Sequence, residues 1–407
     1  MEVHHPGLRS ILDSLRSGKS LSAGELQDLE RQLDLMKGRD ASPCTEPQRH
    51  LRLVQAATPV VTGTLDGAAD RKGTDQFAAS FSEHAVGFYN EAQGLRLSSV
   101  GIGTYRGAMD DETDAAYFSA VRAALRAGVN VIDTSLNYRH QRSERSVGAA
   151  LRAFVAQDGG SRNGVLVCTK GGYLVPGALS RELLREGEIA GDAHCMAPEF
   201  LMDQLERSRR NLGLTRVDVY YLHNPETQLR FIDASTFGVR IRRAFERLEQ
   251  AASEGLISHY GIATWDGFFD GSLSLKSLEA TARQIGGEAH RFRFVQLPVN
   301  LGMLDELRSL ADSDRGVLDI ARDLDITVMA SASLLQGRST AGLPGWITHA
   351  LPHLATDAQR ALQFVRSTPG VTCALTGMRD TRHVADNTAL ALSPPLSPKQ
   401  YRAAFHQ

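Results

Sequence analysis

The 407-residue sequence is poor in cysteine: Cys44, Cys168, Cys195 and Cys373 lie far apart, and none forms a C-x-x-C pair. Neither a disulfide framework nor a zinc site built on paired thiolates is therefore indicated, and a reducing compartment fits. Net charge is also small, with 45 Lys+Arg against 47 Asp+Glu and no long block of like charge. A nucleic acid or an anionic membrane surface is thus not an indicated partner.

Long apolar runs are missing as well, since none approaches the ~18 residues that a membrane-spanning helix needs. Residues 1–6 lack the charged-then-apolar pattern of a secretory signal. We therefore expect a cytoplasmic protein without a membrane partner. What the chain has in quantity is hydrophobic content, 42% of its residues, which is enough for the core of one large α/β barrel.

Three regions differ in pattern. Residues 1–40 carry apolar positions at helical spacing, interrupted by a polar break at 17–20, which predicts an N-terminal helical hairpin. Residues 41–84 lose that periodicity and are typical of a linker or an extended arm. Residues 85–407 form the main domain. The hairpin would offer a surface for a second copy of the chain, as a homo-oligomer, or for another partner.

Strand and helix patterns alternate within the main domain. The eight apolar strand candidates are 99–103, 129–133, 165–170, 217–223, 258–263, 292–297, 326–330 and 371–375. Eight buried strands, each followed by a helix, predict an α/β fold of the (β/α)8 TIM barrel class, because helices must cover the outer face of the strands. The long connections 171–197 and 336–356 would lie at the barrel mouth as lids or pocket walls.

A Rossmann domain is the alternative fold. Gly101-Ile102-Gly103-Thr104-Tyr105-Arg106-Gly107 follows a strand, but its third glycine comes one residue too late for the dinucleotide fingerprint. The acidic residue that should end the next strand also comes too late, at Asp133. The count of eight units favours the barrel.

Four side chains with proton-transfer chemistry follow consecutive strands. Asp133, Lys170 and His223 end the second, third and fourth strand candidates, and Tyr138 follows in the next loop. Such strand ends meet at one mouth of a barrel. An ammonium held by a carboxylate favours phenolate in a neighbouring tyrosine, so we expect Asp133 to orient Lys170 and Lys170 to lower the pKa of Tyr138. Tyr138 would then be the general acid/base, and His223 would hydrogen-bond a carbonyl oxygen.

At these residues the chain resembles the aldo-keto reductase family. The similar segments follow the family's order over roughly residues 95–392, namely 128–138 with Ser143-Glu144 and Gly148, then 168–172, 218–225, 255–261 and 377–387. The resemblance implies a (β/α)8 barrel, a catalytic tetrad of Asp133, Tyr138, Lys170 and His223, and NADPH as cofactor, with NAD as the alternative. No metal site is expected.

The resemblance also implies positions that bind the cofactor. They follow the first, fifth, sixth, seventh and eighth strands and are Gly103, Thr104, Tyr105, Thr264, Gln296, Leu334, Gln336, Gly337, Arg338, Gly377, Met378, Arg379, His383 and Asn387. Arg379 and Arg382 beside a helix N-terminus form a suitable anion site on physical grounds alone.

The chain departs from the family pattern at one residue pair and three single positions. Ala263-Thr264 replaces a Ser-Asn pair, so Thr264 would keep the only side-chain hydrogen bond to the carboxamide at this position. Ser331 stands where an aromatic ring usually stacks on nicotinamide, which would cost on the order of 1 kcal/mol. Asp380 stands where some relatives place arginine, which puts the preference for a 2′-phosphate in doubt. Arg139 replaces a common glycine and would bring an extra cation to the pocket.

The leading hypothesis is an NAD(P)H-dependent oxidoreductase that reduces an aldehyde, a ketone or a sugar-like small molecule, with Tyr138 as general acid/base. One alternative is a cofactor-binding regulatory subunit without turnover. Another is redox-neutral elimination or isomerisation by the same four residues. Each of these residues also has an ordinary structural interpretation when it is taken singly.

Overall fold

The computed structural model describes residues 63–176, 178, 181–183, 187–191, 193–303 and 316–405. The helical hairpin expected for residues 1–40 and the first part of the expected linker, 41–62, lie outside the described residues. Within the described residues no helix is long and apolar enough to cross a membrane.

The chain forms a closed barrel of eight parallel strands, which confirms the predicted α/β (β/α)8 TIM barrel. The barrel strands are Val100–Gly103 (β3), Val131–Asp133 (β4), Leu166–Gly171 (β5), Val217–His223 (β8), Ile257–Ala263 (β9), Phe292–Pro298 (β10), Thr327–Ser331 (β11) and Cys373–Gly377 (β12). Around the barrel they follow the order β10, β11, β12, β3, β4, β5, β8 and β9. Among the described residues, two antiparallel hairpins flank the barrel, made of Tyr89–Ala92 (β1) with Leu95–Ser98 (β2), and of Ile189–Ala190 (β6) with His194–Cys195 (β7).

Helices follow the strands and cover their outer face. Within the described ranges the α-helices are Arg71–Ala79 (α1), Asp111–Arg126 (α2), Arg142–Gln157 (α3), Pro198–Leu212 (α4), Ala234–Ser253 (α5), Leu275–Gly286 (α6), Val317–Asp323 (α7), Gly345–Ala350 (α8), Asp357–Ser367 (α9), Thr381–Thr388 (α10) and Pro398–Phe405 (α11). Their buried sides pack on the outward-facing apolar residues of the strands, as in Val167 and Tyr220. Neighbouring residues of the same strands, Cys168 and Tyr221, belong instead to a separate core cluster. This alternation follows from the two-residue period of a strand.

The bottom of the barrel differs from the sequence prediction. The described part of the expected linker, 63–84, contains α1, whose N-cap Asp70 accepts a hydrogen bond from Gly73 N at 2.6 Å. Gly73 fits because an added Cβ would lie 2.4 Å from the backbone of Asn163. The sequence prediction did not include the β1–β2 hairpin. In the structure its turn residues Gln93 and Gly94 both have the left-handed φ that a tight hairpin turn requires.

Candidate active site

A buried ion pair lies at the carboxyl ends of β4 and β5. Lys170 Nζ donates to both carboxylate oxygens of Asp133, at 2.8 and 2.7 Å, and to Thr134 O at 2.9 Å. The side chain of Lys170 is 0% exposed. Gln296, from the end of β10, donates to Asp133 Oδ1 at 2.7 Å. The Lys170 ammonium and the Asp133 carboxylate thus neutralise each other and find further hydrogen-bond partners at a buried site.

Tyr138 is the neighbour of this pair, in the loop after β4. Lys170 Nζ donates to its hydroxyl at 3.1 Å and lies 4.7 Å from its ring centroid. Burial, and then the charge of Asp133, raise the pKa of Tyr138 well above its ordinary value. The expected lowering by Lys170 is therefore wrong for this structure, because burial penalises phenolate and the adjacent carboxylate opposes the ammonium. The phenol stays protonated, which is the state that a proton donor requires.

His223 ends β8 beside Tyr138, with their ring centroids 5.8 Å apart. Ser135 Oγ lies 3.3 Å from its Nδ1. Burial lowers the pKa of His223 well below the ordinary histidine value, and the charge of Lys170 lowers it further. The imidazole is therefore neutral near pH 7 and carries a single N–H. The structure thus brings together all four side chains that the sequence singled out.

Two further tyrosines border this group. Tyr105, which follows β3 and is 38% exposed, packs edge-on against Tyr138 with a centroid distance of 4.9 Å. Tyr173, from the long connection after β5, packs edge-on against His223 at 5.0 Å. Tyr173, in the described part of the 171–197 connection, therefore lies at the mouth beside His223. One aromatic ring beside Tyr138 and another beside His223 would help to exclude water from the proton-transfer group.

Arg139 does not provide the extra pocket cation that was expected. Its guanidinium is buried and donates to Ala108 O at 2.7 Å and to Asp114 Oδ1 at 2.5 Å, at the N-terminal end of α2. Arg139, His140 and Gln141 are consecutive residues with positive φ, of 49°, 50° and 72°. The buried ion pair therefore holds a loop whose backbone would suit glycine better. Its role is to fix the turn that follows Tyr138.

The cofactor candidates nearest the ion pair have partners of their own. Gly103 ends β3, and Thr104 N donates to Asp133 O at 3.1 Å. The sequence linked Gln296 only to the carboxamide, whereas the structure also places it on the tetrad carboxylate. Ser331, in the place of the expected stacking aromatic, ends β11 and is partly exposed. The chain thus has no aromatic ring at that position.

Thr264 differs most from expectation. Its hydroxyl donates to Glu226 Oε1 at 2.7 Å and accepts from Gly267 N at 3.0 Å. One acceptor lone pair remains for a carboxamide N–H, so Thr264 can accept but not donate. Trp265 N donates to the same Glu226 oxygen at 2.9 Å, and burial raises the pKa of Glu226. Sequence reasoning missed Glu226, although it lies only three residues beyond His223.

The remaining cofactor candidates follow β11 and β12. Leu334 is buried, and Gln336 and Gly337 have positive φ. Arg338 lies in the same turn. Arg106, from the loop after β3, donates to Gln336 O at 2.7 Å and so connects the two loops. Gly377 faces open space, Met378 is buried, and Arg379 and His383 are exposed beside the N-terminus of α10.

Two observations test whether these loops fit a dinucleotide. Asn387 is buried, and its Oδ1 finds no hydrogen-bond partner among the described residues. An amino group of a bound base would satisfy this acceptor. Arg379 lies next to Gly107, where an added Cβ would come 3.1 Å from its guanidinium. Asp380, however, is paired with Arg382, so Arg382 contributes less net positive charge here than expected. The residues fit an adenosine dinucleotide.

Within the described ranges, no group of three or more His, Cys, Asp or Glu side chains could hold a metal ion. Cys168, Cys195 and Cys373 are free and buried. Burial raises the pKa of the Cys168 thiol well above its ordinary value, so it stays protonated.

Comparison with known proteins decides the family. The model of the aldo/keto reductase family matches residues 99–342, which is more than half of the chain. The chain belongs to the aldo/keto reductase family. The resemblance seen in the separate motifs is thereby confirmed, and the family match extends from β3 through β11.

Similar individual proteins are distant. The D-threo-aldose 1-dehydrogenase of a Pseudomonas species is 27% identical over 190 residues, which cover 42% of this chain and 52% of that protein. Aldo-keto reductase YhdN of Bacillus subtilis is 24% identical over 253 residues, or 61% of each protein. The chain thus matches between half and two thirds of the length of these relatives.

The fold has solved counterparts. An aldo/keto reductase from Klebsiella pneumoniae, crystallised with NADP and acetate, superposes with a TM-score of 0.56 at 21% identity, over 79% of this chain and 96% of that one. At this identity the likeness establishes the barrel fold.

Proposed function

We propose that this aldo/keto reductase family member is an NADPH-dependent oxidoreductase that reduces the carbonyl group of an aldehyde, a ketone or a sugar-like molecule. Tyr138 is the general acid in reduction and the general base in the reverse direction. One observation carries the proposal: the Tyr138 hydroxyl lies 3.1 Å from an ammonium that Asp133 holds at 2.7 Å.

A bound nicotinamide cofactor supplies the hydride that the carbonyl carbon accepts. The chain supplies the proton: as negative charge grows on the carbonyl oxygen, the Tyr138 O–H bond breaks and the proton passes to that oxygen. The phenolate left behind is stabilised by the Lys170 ammonium, while Asp133 and Gln296 keep the ammonium in place. Neutral His223 holds the carbonyl oxygen beside Tyr138 through one hydrogen bond.

The proposal of NADPH rests on the charge and shape of the loops after β11 and β12. Arg379 and His383 are exposed cationic or titratable groups beside a helix N-terminus, a place that favours phosphate. Asn387 offers an unused acceptor to the base. The solved Klebsiella relative holds NADP, which supports the same choice. Because Asp380 partly cancels the local charge, NADH is the alternative cofactor to compare.

The experiment is rapid mixing of the protein and NADPH with a panel of aldehydes, ketones and aldoses, followed by cofactor absorbance. Tyr138→Phe should lower kcat at least about 100-fold with little change in NADPH affinity. Tyr401→Phe is the matched control, because it removes a buried hydroxyl that contacts Thr368 Oγ1 at 3.0 Å away from the mouth.

The other outcomes are distinguishable. Full activity in Tyr138→Phe would refute the proton-transfer role. Product formed at constant cofactor absorbance would point to elimination or isomerisation, and tight NADPH binding without turnover of any carbonyl would point to a regulatory subunit.

A further inference from the structure

We infer that His194 is a positioning residue for His223, acting through a hydrogen-bond chain that begins at Arg240. His194 opens β7, within the long connection that follows β5, and its side chain is fully buried. Its Nε2 lies 2.8 Å from the backbone oxygen of His223. The inference deepens the proposed function, because it rests on His223 as the residue that holds the carbonyl oxygen.

The direction of each hydrogen bond in this chain is fixed by Arg240, which can only donate. Arg240 Nη1 donates to Gln228 Oε1 at 2.7 Å, so the amide nitrogen of Gln228 must point the other way. That nitrogen lies 3.1 Å from His194 Nδ1 and donates to it. Nδ1 therefore accepts, and the single proton of neutral His194 lies on Nε2. His194 consequently donates to His223 O, and no other tautomer satisfies every atom.

The backbone explains why His223 needs this donor. Successive carbonyls of a parallel strand face its two neighbouring strands in turn. Asn224 N donates to Ala263 O on β9, so the His223 carbonyl faces β5, whose pairing with β8 ends at Gly171 opposite Leu222. The carbonyl of the last strand residue therefore takes its hydrogen bond from outside the sheet. His194 supplies it, and the height of His223 above the barrel mouth depends on that bond.

Tyr173 packs against the imidazole rings of both His194 and His223. Its ring packs edge-on against His194 at 5.2 Å and against His223 at 5.0 Å. Asn224 Nδ2 donates to the Tyr173 hydroxyl at 3.1 Å. Gly172 leaves room for this packing, since an added Cβ would lie 2.6 Å from His194 Nε2. The β6–β7 hairpin and Tyr173 thus hold His223 in place through its backbone oxygen and its ring.

Arg240, at the far end of the hydrogen-bond chain, also binds the backbone that leads into the β6–β7 hairpin. It is buried and donates to Glu188 O at 3.1 Å and to Gly187 O. A guanidinium on α5 therefore fixes both Gln228 and the backbone that leads into β6. The chain from Arg240 to His223 is continuous, and each of its links is buried.

The test compares His194→Gln with His194→Asn. The amide nitrogen of glutamine reaches about as far as imidazole Nε2 and keeps a donor to His223 O, whereas that of asparagine stops near Nδ1. We expect His194→Asn to lower kcat for carbonyl reduction about 10- to 100-fold. His194→Gln should recover most of that loss, and both variants should bind NADPH within about twofold of wild type.

The second measurement needs no turnover and reads the wild-type protein, with a variant used only to assign signals. In ¹⁵N-histidine-labelled protein without cofactor, His194 should show a protonated Nε2 and a bare Nδ1 through the neutral range. His194→Gln identifies its signals. A proton on Nδ1 in wild type, or equal kcat in the glutamine and asparagine variants, would overturn the inference. Wild-type protein that never oxidises NADPH would refute the proposed function, while the tautomer would still test the hydrogen-bond chain.

Discussion

The buried pair of Asp133 and Lys170 gives the most demanding quantitative test. Lys170→Met removes an ammonium whose side chain is 0% exposed and leaves the Asp133 carboxylate with Gln296 as its donor at 2.7 Å. Breaking a buried ion pair at one partner typically costs about 3–5 kcal/mol. The hydrogen bond from Gln296 remains and relieves part of this cost, so we expect the lower end of that range.

The sharper test is the double variant Asp133→Asn/Lys170→Met. It removes both charges together and leaves two neutral side chains of similar size, and such replacements of a buried pair are often close to neutral in stability. We therefore expect the double variant to be more stable than Lys170→Met by about 2 kcal/mol or more. It should still be inactive, because Tyr138 then has no ammonium beside its hydroxyl.

The assay is thermal and urea unfolding of the wild type, the two single variants and the double variant, with NADPH oxidation measured in parallel. With roughly 2.1 cal/mol/K of unfolding entropy per residue, 3 kcal/mol lowers Tm by only about 4 °C in a barrel of this size, so urea midpoints are the better measure. A double variant less stable than both singles would refute the charge argument. An active double variant would refute the catalytic assignment.

Three further predictions concern separate residues. Ser135→Ala should lower kcat about 10-fold at unchanged NADPH affinity, because Ser135 Oγ lies 3.3 Å from His223 Nδ1 and restricts its ring; an unchanged kcat would contradict this. Burial, followed by the charges of Arg291 and Arg293, lowers the pKa of His259 to about 4, whereas the unfolded chain binds a proton near the ordinary histidine pKa of 6.5. Its contribution to stability should therefore fall as pH drops from 6.5 towards 4, and urea midpoints of His259→Gln should depend less on pH than those of wild type. Equal pH dependence would count against it. Asp380→Arg should tighten NADPH several-fold in fluorescence titration and leave NADH unchanged; equal shifts for both cofactors would exclude a role in recognising the 2′-phosphate.

The fold and the four central side chains were predictable because both depend on local patterns. Eight apolar strands at regular spacing predict a barrel, and parallel strands must bring Asp133, Lys170 and His223 to the same mouth. Tyr138 was identified because it lies five residues after Asp133 in the sequence, in the loop that follows the same strand.

What the sequence could not provide depends on packing. The direction of the Tyr138 pKa shift was predicted wrongly, because local sequence does not reveal how deeply the phenol is buried. The orientation of Arg139 depends on Asp114, which lies 25 residues earlier. His194 and Glu226 lie in connections between barrel strands, and their partners are set only by tertiary structure.

The residues proposed for proton transfer and those proposed for dinucleotide binding lie in two separate sectors of the barrel. The strands that present Asp133, Lys170 and His223 are the neighbours β4, β5 and β8, whereas every proposed dinucleotide position lies near the end of, or follows, one of the other five strands, which are also contiguous. The hydrogen bond from Gln296 to Asp133 joins the sectors across the mouth. Laboratory evolution of cofactor preference can therefore be confined to one side of the molecule, with Gln296 held constant, and leave the proton-transfer machinery on the other side untouched.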